Sequence, residues 1–316
     1  MERILQHVKP ERRNKELEHN PVHPLFWKRS FHFETIEQGI SALIPIIGPF
    51  LKFSGLYQRG VRNALDIQTT RITIHAPALP AAFEGFTILY LSDFHIDGTD
   101  LLVEPLCAAL DGVEADICIL GGDYRARMHG PFRAMMDALE TVVPHIRSTQ
   151  GIAGILGNHD SWEMIKPLER LGIIMLINEA IEIRAGSDSI WLLGLDDPHY
   201  YKCDDYDKAN ADVPTDAFRI LAVHATGALP RLPDRAANVY LCGHTHAGQI
   251  SLPLIGTPIT HSALKGPFIY GRWQYGAIQG YTSSGVGTSG VPVRFNTRPE
   301  VVLLTLSSSS KETTRV

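Results

Sequence analysis

Gly85-Phe86-Thr87-Ile88-Leu89-Tyr90-Leu91-Ser92-Asp93-Phe94-His95 is an apolar strand pattern that runs into a polar loop carrying a carboxylate and an imidazole. The pattern then recurs. Residues 101–110 read as a helix capped by Thr99 or Asp100, and residues 116–120 as a second buried strand ending in Gly121-Gly122-Asp123. Residues 131–146 read as an amphipathic helix, and residues 151–156 as a third strand ending in Gly157-Asn158-His159-Asp160. Alternating strand, polar loop and helix is the mark of an α/β layered fold, whose ligands gather at the carboxyl ends of strands. Residues 70–75 alternate as a further strand upstream. The second half is richer in strand patterns, at 173–177, 180–184, 189–195, 218–223, 239–242, 276–282 and 301–306. Two sheets face to face with helices outside are expected.

Five loops that follow apolar runs offer metal-ligand side chains: Asp93 with His95, then Asp123, Asn158 with His159, His224, and His244 with His246. In a strand the imidazoles of His244 and His246 would share a face; where the strand breaks they can diverge toward two neighbouring ions. Singly, an Asp after a strand is a turn former and a lone His a structural residue. Jointly, carboxylate, amide and imidazole without thiolate suit Mn, Fe, Zn or Mg, with Asp123 placed to bridge two of them. Asp196 and Asp197 read as turn formers, with His199 in the same loop.

This ordered set resembles the calcineurin-like metallophosphoesterase superfamily over residues 85–306. Gly194-Leu195-Asp196-Asp197-Pro198, Gly243-His244-Thr245-His246-Ala247-Gly248-Gln249 and Gly285-Val286-Gly287-Thr288-Ser289-Gly290 are similar to its YkuE/YaeI-like phosphodiesterase branch. The resemblance implies a four-layer sandwich of two mixed β-sheets flanked by helices. It also implies two divalent cations, Mn favoured, the first held by Asp93, His95 and His246, the second by Asn158, His224 and His244, with Asp123 bridging. His159 would act on the substrate, and a metal-bridging hydroxide would attack phosphorus. One position departs from the phosphatase pattern: Ala126 stands where a second acidic residue pairs with the catalytic histidine. Asp160 is the expected replacement, giving His159 and Asp160 as the catalytic pair, and a protein-phosphatase activity is disfavoured. Arg125, Arg127 and Arg294 are candidate phosphate contacts.

The 316 residues are 44% hydrophobic and 20% charged, with a net charge of -5, which argues against a surface for a nucleic-acid backbone. The expected partner is a phosphate-bearing small molecule or glycolipid. Four widely spaced cysteines form no Cys-x-x-Cys pair and fit a reducing compartment, so a cytoplasmic location is expected.

Residues 1–69 form an N-terminal extension to a domain expected at 70–306, and residues 307–316, rich in Ser and Thr, read as a disordered tail. No apolar core follows the first methionine, which argues against a secretory signal. Residues 39–57 are apolar but contain Pro45, Gly48, Pro49 and Lys52, against a membrane span. They read either as a broken helix on the domain's flank or as a membrane-surface contact beside Trp27, Lys28, Arg29 and Arg59. The latter suits a lipid-facing UDP-2,3-diacylglucosamine pyrophosphohydrolase of lipid A synthesis, the alternative to a generic phosphodiesterase or pyrophosphatase. A non-catalytic metal-binding scaffold is the reading from another class. A nuclease would need a basic groove that the composition does not offer.

Overall fold

Two mixed six-stranded sheets stack face to face in the computed structural model, which describes residues 44–252, 256–257, 260, 262 and 264–309. The first sheet orders its strands Gln68–His75, Glu300–Ser307, Thr87–Leu91, Ile117–Leu120, Ile152–Gly154 and Ile173–Met175. All neighbours run parallel except Glu300–Ser307 against Thr87–Leu91. The second orders Gly271–Tyr275, Ile278–Thr282, Val239–Cys242, Phe218–Ala222, Asp188–Gly194 and Glu179–Ala185, antiparallel only at its two edges.

The central strands are apolar without interruption because both of their faces are covered. Ile88 and Tyr90 point between the sheets with Ile117, Ile119, Val302 and Leu304, and meet Ile190, Leu192, Ile220, Val239 and Leu241 of the second sheet. Leu89 and Leu91 point the other way, onto Leu106 and Leu110 of the helix Val103–Leu110 and onto Met135, Leu139 and Val142 of the helix Arg133–Val142. The period-2 alternation of each strand thus feeds two cores at once. Behind the second sheet the outer layer is thin: the four-residue helix Tyr206–Ala209 and 3-10 turns at Thr226–Arg231 and Gly266–Ile269 cover Leu193, Leu221, Tyr240 and Trp273.

The helix expected over 131–146 is divided, with Val143–His145 as a 3-10 turn around Pro144. The edge strand Gly271–Tyr275 hairpins onto Ile278–Thr282 and escaped the sequence reading. Ser307 belongs to the last strand, and Glu84 fastens Ser307 and Ser308 through its two carboxylate oxygens, so the ordered chain reaches past the expected start of the tail. Residues 310–316 lie outside the described residues, as do residues 1–43 with Trp27, Lys28 and Arg29.

The described part of the apolar segment is the helix Ile44–Phe53, with Pro49 inside it. Leu51 is buried against Val291 and Val293, joined by Ile47, Tyr57, Val61 and Phe295, so one side of this helix does cover the domain's flank. Its other side leaves Phe50 62% and Phe53 93% exposed. Among the described residues no helix is long and apolar enough to cross a membrane.

Candidate metal centre

The strand ends Thr87–Leu91, Ile117–Leu120 and Ile152–Gly154 in one sheet, and Phe218–Ala222 and Val239–Cys242 in the other, deliver their loops to a single place. Ligand atoms of Asp93, His95 and His246 lie within 4.8 Å of one another, as do those of Asp123, His224 and His244. Asp123 joins the two groups. Its Oδ2 is 3.5 Å from His95 Nε2 on one side and 3.3 Å from His224 Nε2 on the other. Asp93 Oδ1 is 3.5 Å from His246 Nε2.

The backbone at these loops is strained. Asp93, His95, Asp123, His244 and His246 all have positive φ, between 39° and 71°. Left-handed conformations cost non-glycine residues roughly 1–2 kcal/mol each, so five in one cluster imply that the surrounding structure holds them for a purpose. Two glycines let the loops approach: a Cβ on Gly243 would collide with the Asp93 carboxylate and Ser92, and one on Gly157 with the Asp123 carboxylate.

Histidine tautomers are set from behind. His95 Nδ1 donates to Arg125 O at 2.9 Å and His224 Nδ1 to Gly121 O at 2.8 Å, which turns each Nε2 toward the centre. His95 Nε2 and His246 Nε2 then face each other at 3.2 Å, a spacing that suits two nitrogens sharing one cation at about 2.0–2.1 Å each. Asn158 Oδ1 is buried with no hydrogen-bond partner. Buried polar atoms are ordinarily satisfied, so this donor set fits divalent cations as the missing partners.

The charges agree. Burial holds the His95 imidazole down at about 3 and His246 well below its ordinary value, so both are neutral and able to ligate. Burial also lifts the Asp93 carboxyl to about 6. At Asp123 burial works to raise the pKa but is overcome, chiefly by the charge and hydrogen bond of His224, which hold the carboxylate ionised. Burial works to lower His224, yet Asp123 and Asp93 push it up to about 10. His224 and Asp123 thus face each other as an ion pair at 3.3 Å.

His159 lies beside this centre. Its ring meets the His95 ring edge-on at 4.7 Å between centroids, and its ligand atom lies within 4.8 Å of those of His95 and Asp123. Its Nδ1 donates to Ala126 O at 2.8 Å, which fixes the ring. Ala126 therefore does orient the histidine, through its main chain; its side-chain type carried no signal of this.

Asp160 is not the orienting carboxylate expected from the sequence. It is fully buried, and its oxygens accept from the main-chain N–H groups of Asp123 (2.8 Å), Tyr124 (2.9 Å) and Gly157 (2.8 Å), clamping two ligand loops together. Arg125 and Arg294 differ from expectation too, because both are buried and turned onto carbonyls. Arg125 donates to the carbonyls of His159 (2.6 Å), Gly130 (2.9 Å) and Met128. Arg294 donates to Ser284 O and Gly287 O at 2.6 Å each, Gly285 O at 3.2 Å, His246 O at 3.3 Å and Arg298 O at 3.4 Å, and burial pushes its guanidinium down to about 10. Of the three arginines, Arg127 is the exposed one. The His199 ring lies against the His244 ring at 4.3 Å between centroids, tilted by 50°.

A two-lobed Asp/His/Asn centre at the strand ends of a double-sheet sandwich is the donor set of a metal-dependent protein, and divalent cations held there suit chemistry on phosphate esters. No family model matches the chain. It is 29% identical over 255 residues to the uncharacterized metallophosphoesterase YkuE of Bacillus subtilis (strain 168), covering 77% of this chain and 87% of that one. It is 30% identical over 231 residues to Phosphodiesterase YaeI of Escherichia coli (strain K12), covering 70% of this chain and 82% of the relative. The uncharacterized metallophosphoesterase YkoQ of Bacillus subtilis is 26% identical over 284 residues, 83% of this chain and 96% of its own. The chain belongs to the metallophosphoesterase family, in the branch that contains YkuE and YaeI. It is a hydrolase of phosphoric esters that works with divalent metal ions.

Proposed function

We propose that the chain cleaves a phosphodiester or pyrophosphate bond of a phosphate-bearing small molecule, using two divalent cations held by the seven ligands, Mn favoured. The observation that carries this reading is Asp123, whose one carboxylate oxygen lies between the His95 and His224 imidazoles. When bound, two cations supply Lewis acidity toward phosphoryl oxygens and lower the pKa of a water. Asp93, His95 and His246 would form the first set, and Asn158, His224 and His244 the second. His159, its Nδ1 tied to Ala126 O, holds Nε2 toward the reacting phosphoryl. Protonated there, it donates to the leaving oxygen, a contribution of about 10²–10⁴-fold in rate. Asp160, Arg125 and Arg294 act through the backbone, by fixing the loops that carry these groups.

The test is hydrolysis of bis-p-nitrophenyl phosphate and p-nitrophenyl phosphate by metal-stripped protein resupplied with Mn, Zn, Fe or Mg, with Asp123→Asn as control. Restored activity that is lost in the variant supports the reading. Absence of turnover with every metal, despite stoichiometric loading, moves the balance to a non-catalytic scaffold.

One observation favours a lipid-facing version of the same chemistry. Phe50 and Phe53 project from a helix that also bears Lys52, with Arg59 and Arg62 in the next helix, Tyr57–Leu65, a composition suited to an anionic membrane surface. In this version the substrate is a glycolipid such as UDP-2,3-diacylglucosamine. The chain should then float with anionic liposomes, lose flotation in Phe50→Ser/Phe53→Ser, and lose efficiency when acyl chains are trimmed, because remote binding energy acts at the reacting centre. Equal efficiency on short-chain and long-chain substrates refutes it.

A further inference from the structure

Two imidazoles outside the seven-ligand set flank the centre. His159 rests against His95, and at the other end the His199 ring rests against His244, tilted by 50°. The first has its role in the proposed reaction. The second has none so far, although it is exposed to solvent while its ring rests on a ligand of the second set.

The loop that presents it is built and held. Buried Asp197 accepts main-chain N–H bonds from His199 at 3.0 Å through Oδ1, and from Tyr200 and Tyr201 at 2.7 Å each through Oδ2. Asn178 pins both ends of the loop, accepting from Asp196 N and Asp205 N at 2.9 Å and donating to Cys203 O at 2.8 Å. Lys202 is exposed and sits at φ 53°, a conformation that this anchoring maintains. The loop thus presents the His199 imidazole beside His244 of the second ligand set and carries exposed Lys202 three residues further along the same anchored turn.

We propose that His199 and Lys202 form a second anion-recognition subsite, which takes the phosphate next to the one attacked and makes the enzyme selective for diphosphate-linked substrates over simple phosphodiesters. This rests on the phosphohydrolase reading above. A simple diester carries one negative charge, taken by the centre itself, and leaves the His199–Lys202 rim unused. A diphosphate diester carries a charge on each phosphoryl, and the second meets donors suited to it. The reaction consumes one water: the bond from the attacked phosphorus to the bridging oxygen breaks, the water oxygen stays on that phosphorus, and each phosphate monoester leaves with one of the two protons.

The experiment compares binding of methylenediphosphonate, which cannot be hydrolysed, with that of inorganic phosphate to the Mn-loaded full chain by calorimetry, in wild type, His199→Ala, Lys202→Ala and Lys202→Glu. Metal content is measured in parallel, and turnover of ADP-ribose and bis-p-nitrophenyl phosphate by wild type is recorded separately. Wild type should prefer the diphosphonate. The preference should fall about tenfold on loss of the Lys202 ammonium, the scale of a charged hydrogen bond, less on loss of the His199 N–H donor, and further in Lys202→Glu. A preference unchanged in both Lys202 variants overturns the subsite, and these variants decide the matter if His199→Ala loses metal through its contact with His244. Failure of wild type to hydrolyse either ester would instead strike the phosphohydrolase reading, while the binding ratio still reports on the loop.

Discussion

Replacing Asp160 separates a structural carboxylate from a catalytic one. Its two oxygens receive three main-chain N–H bonds, from Asp123, Tyr124 and Gly157, all between 2.8 and 2.9 Å and all out of contact with solvent. Hydrogen bonds to a charged group contribute about 1.5–3 kcal/mol each, and the three share one acceptor, so they do not add in full. Asp160→Ala would strand all three donors and cost about 4–6 kcal/mol, a large part of the roughly 5–15 kcal/mol that holds a domain folded. Asp160→Asn is the usable variant: its amide keeps one acceptor oxygen but turns an NH2 toward donors, for a cost of about 2–3 kcal/mol. Urea denaturation of the metal-free protein should show a lower midpoint with an unchanged slope. Metal affinity should fall with it, because the clamp joins the loops of Asp123 and Asn158. An Asn variant that keeps its midpoint and metal content but loses turnover would refute the clamp and make Asp160 a participant in the chemistry.

His159→Ala should lower kcat by about 10²–10⁴-fold with metal content retained, read by steady-state assay and elemental analysis; parallel loss of both metals would make His159 a ligand. Metal loading near pH 7.5 should release about one proton, because His224, pushed up to about 10, must give up its proton to ligate. Affinity should therefore rise with pH below that value; calorimetry in buffers of different ionisation enthalpy measures the proton count, and zero release contradicts the His224–Asp123 pairing. Arg294→Lys should lower both the urea midpoint and metal content, since a lysine ammonium cannot serve carbonyls spread over the 284–287 loop and His246, whereas unchanged metal content would detach Arg294 from the centre.

The sandwich was legible because its strands are buried on both faces and end abruptly in Gly, Asp, Asn and His, which gives sharp apolar-to-polar boundaries at Leu91, Leu120, Leu156 and Cys242. The loops that converge on the candidate centre were legible for the same reason, each Asp, Asn or His following closely on its strand. What escaped the sequence was work done by the backbone. Ala126 orients His159 through a carbonyl, and Arg125 and Arg294 face carbonyls where their charge suggested phosphate. Side-chain identity does not reveal which carbonyls converge on a buried guanidinium. The strand Gly271–Tyr275 was missed because its burial is broken, with Trp273 alone turned inward. His199 was visible as a residue, but only the fold brings it against His244.

The central claim, two cations joined by Asp123, is tested most directly by metal-to-protein stoichiometry after reloading with Mn, in wild type and Asp123→Asn. Two ions per chain in wild type, falling to one or fewer in the variant, is the predicted result. A single ion per chain that the variant leaves in place would contradict it.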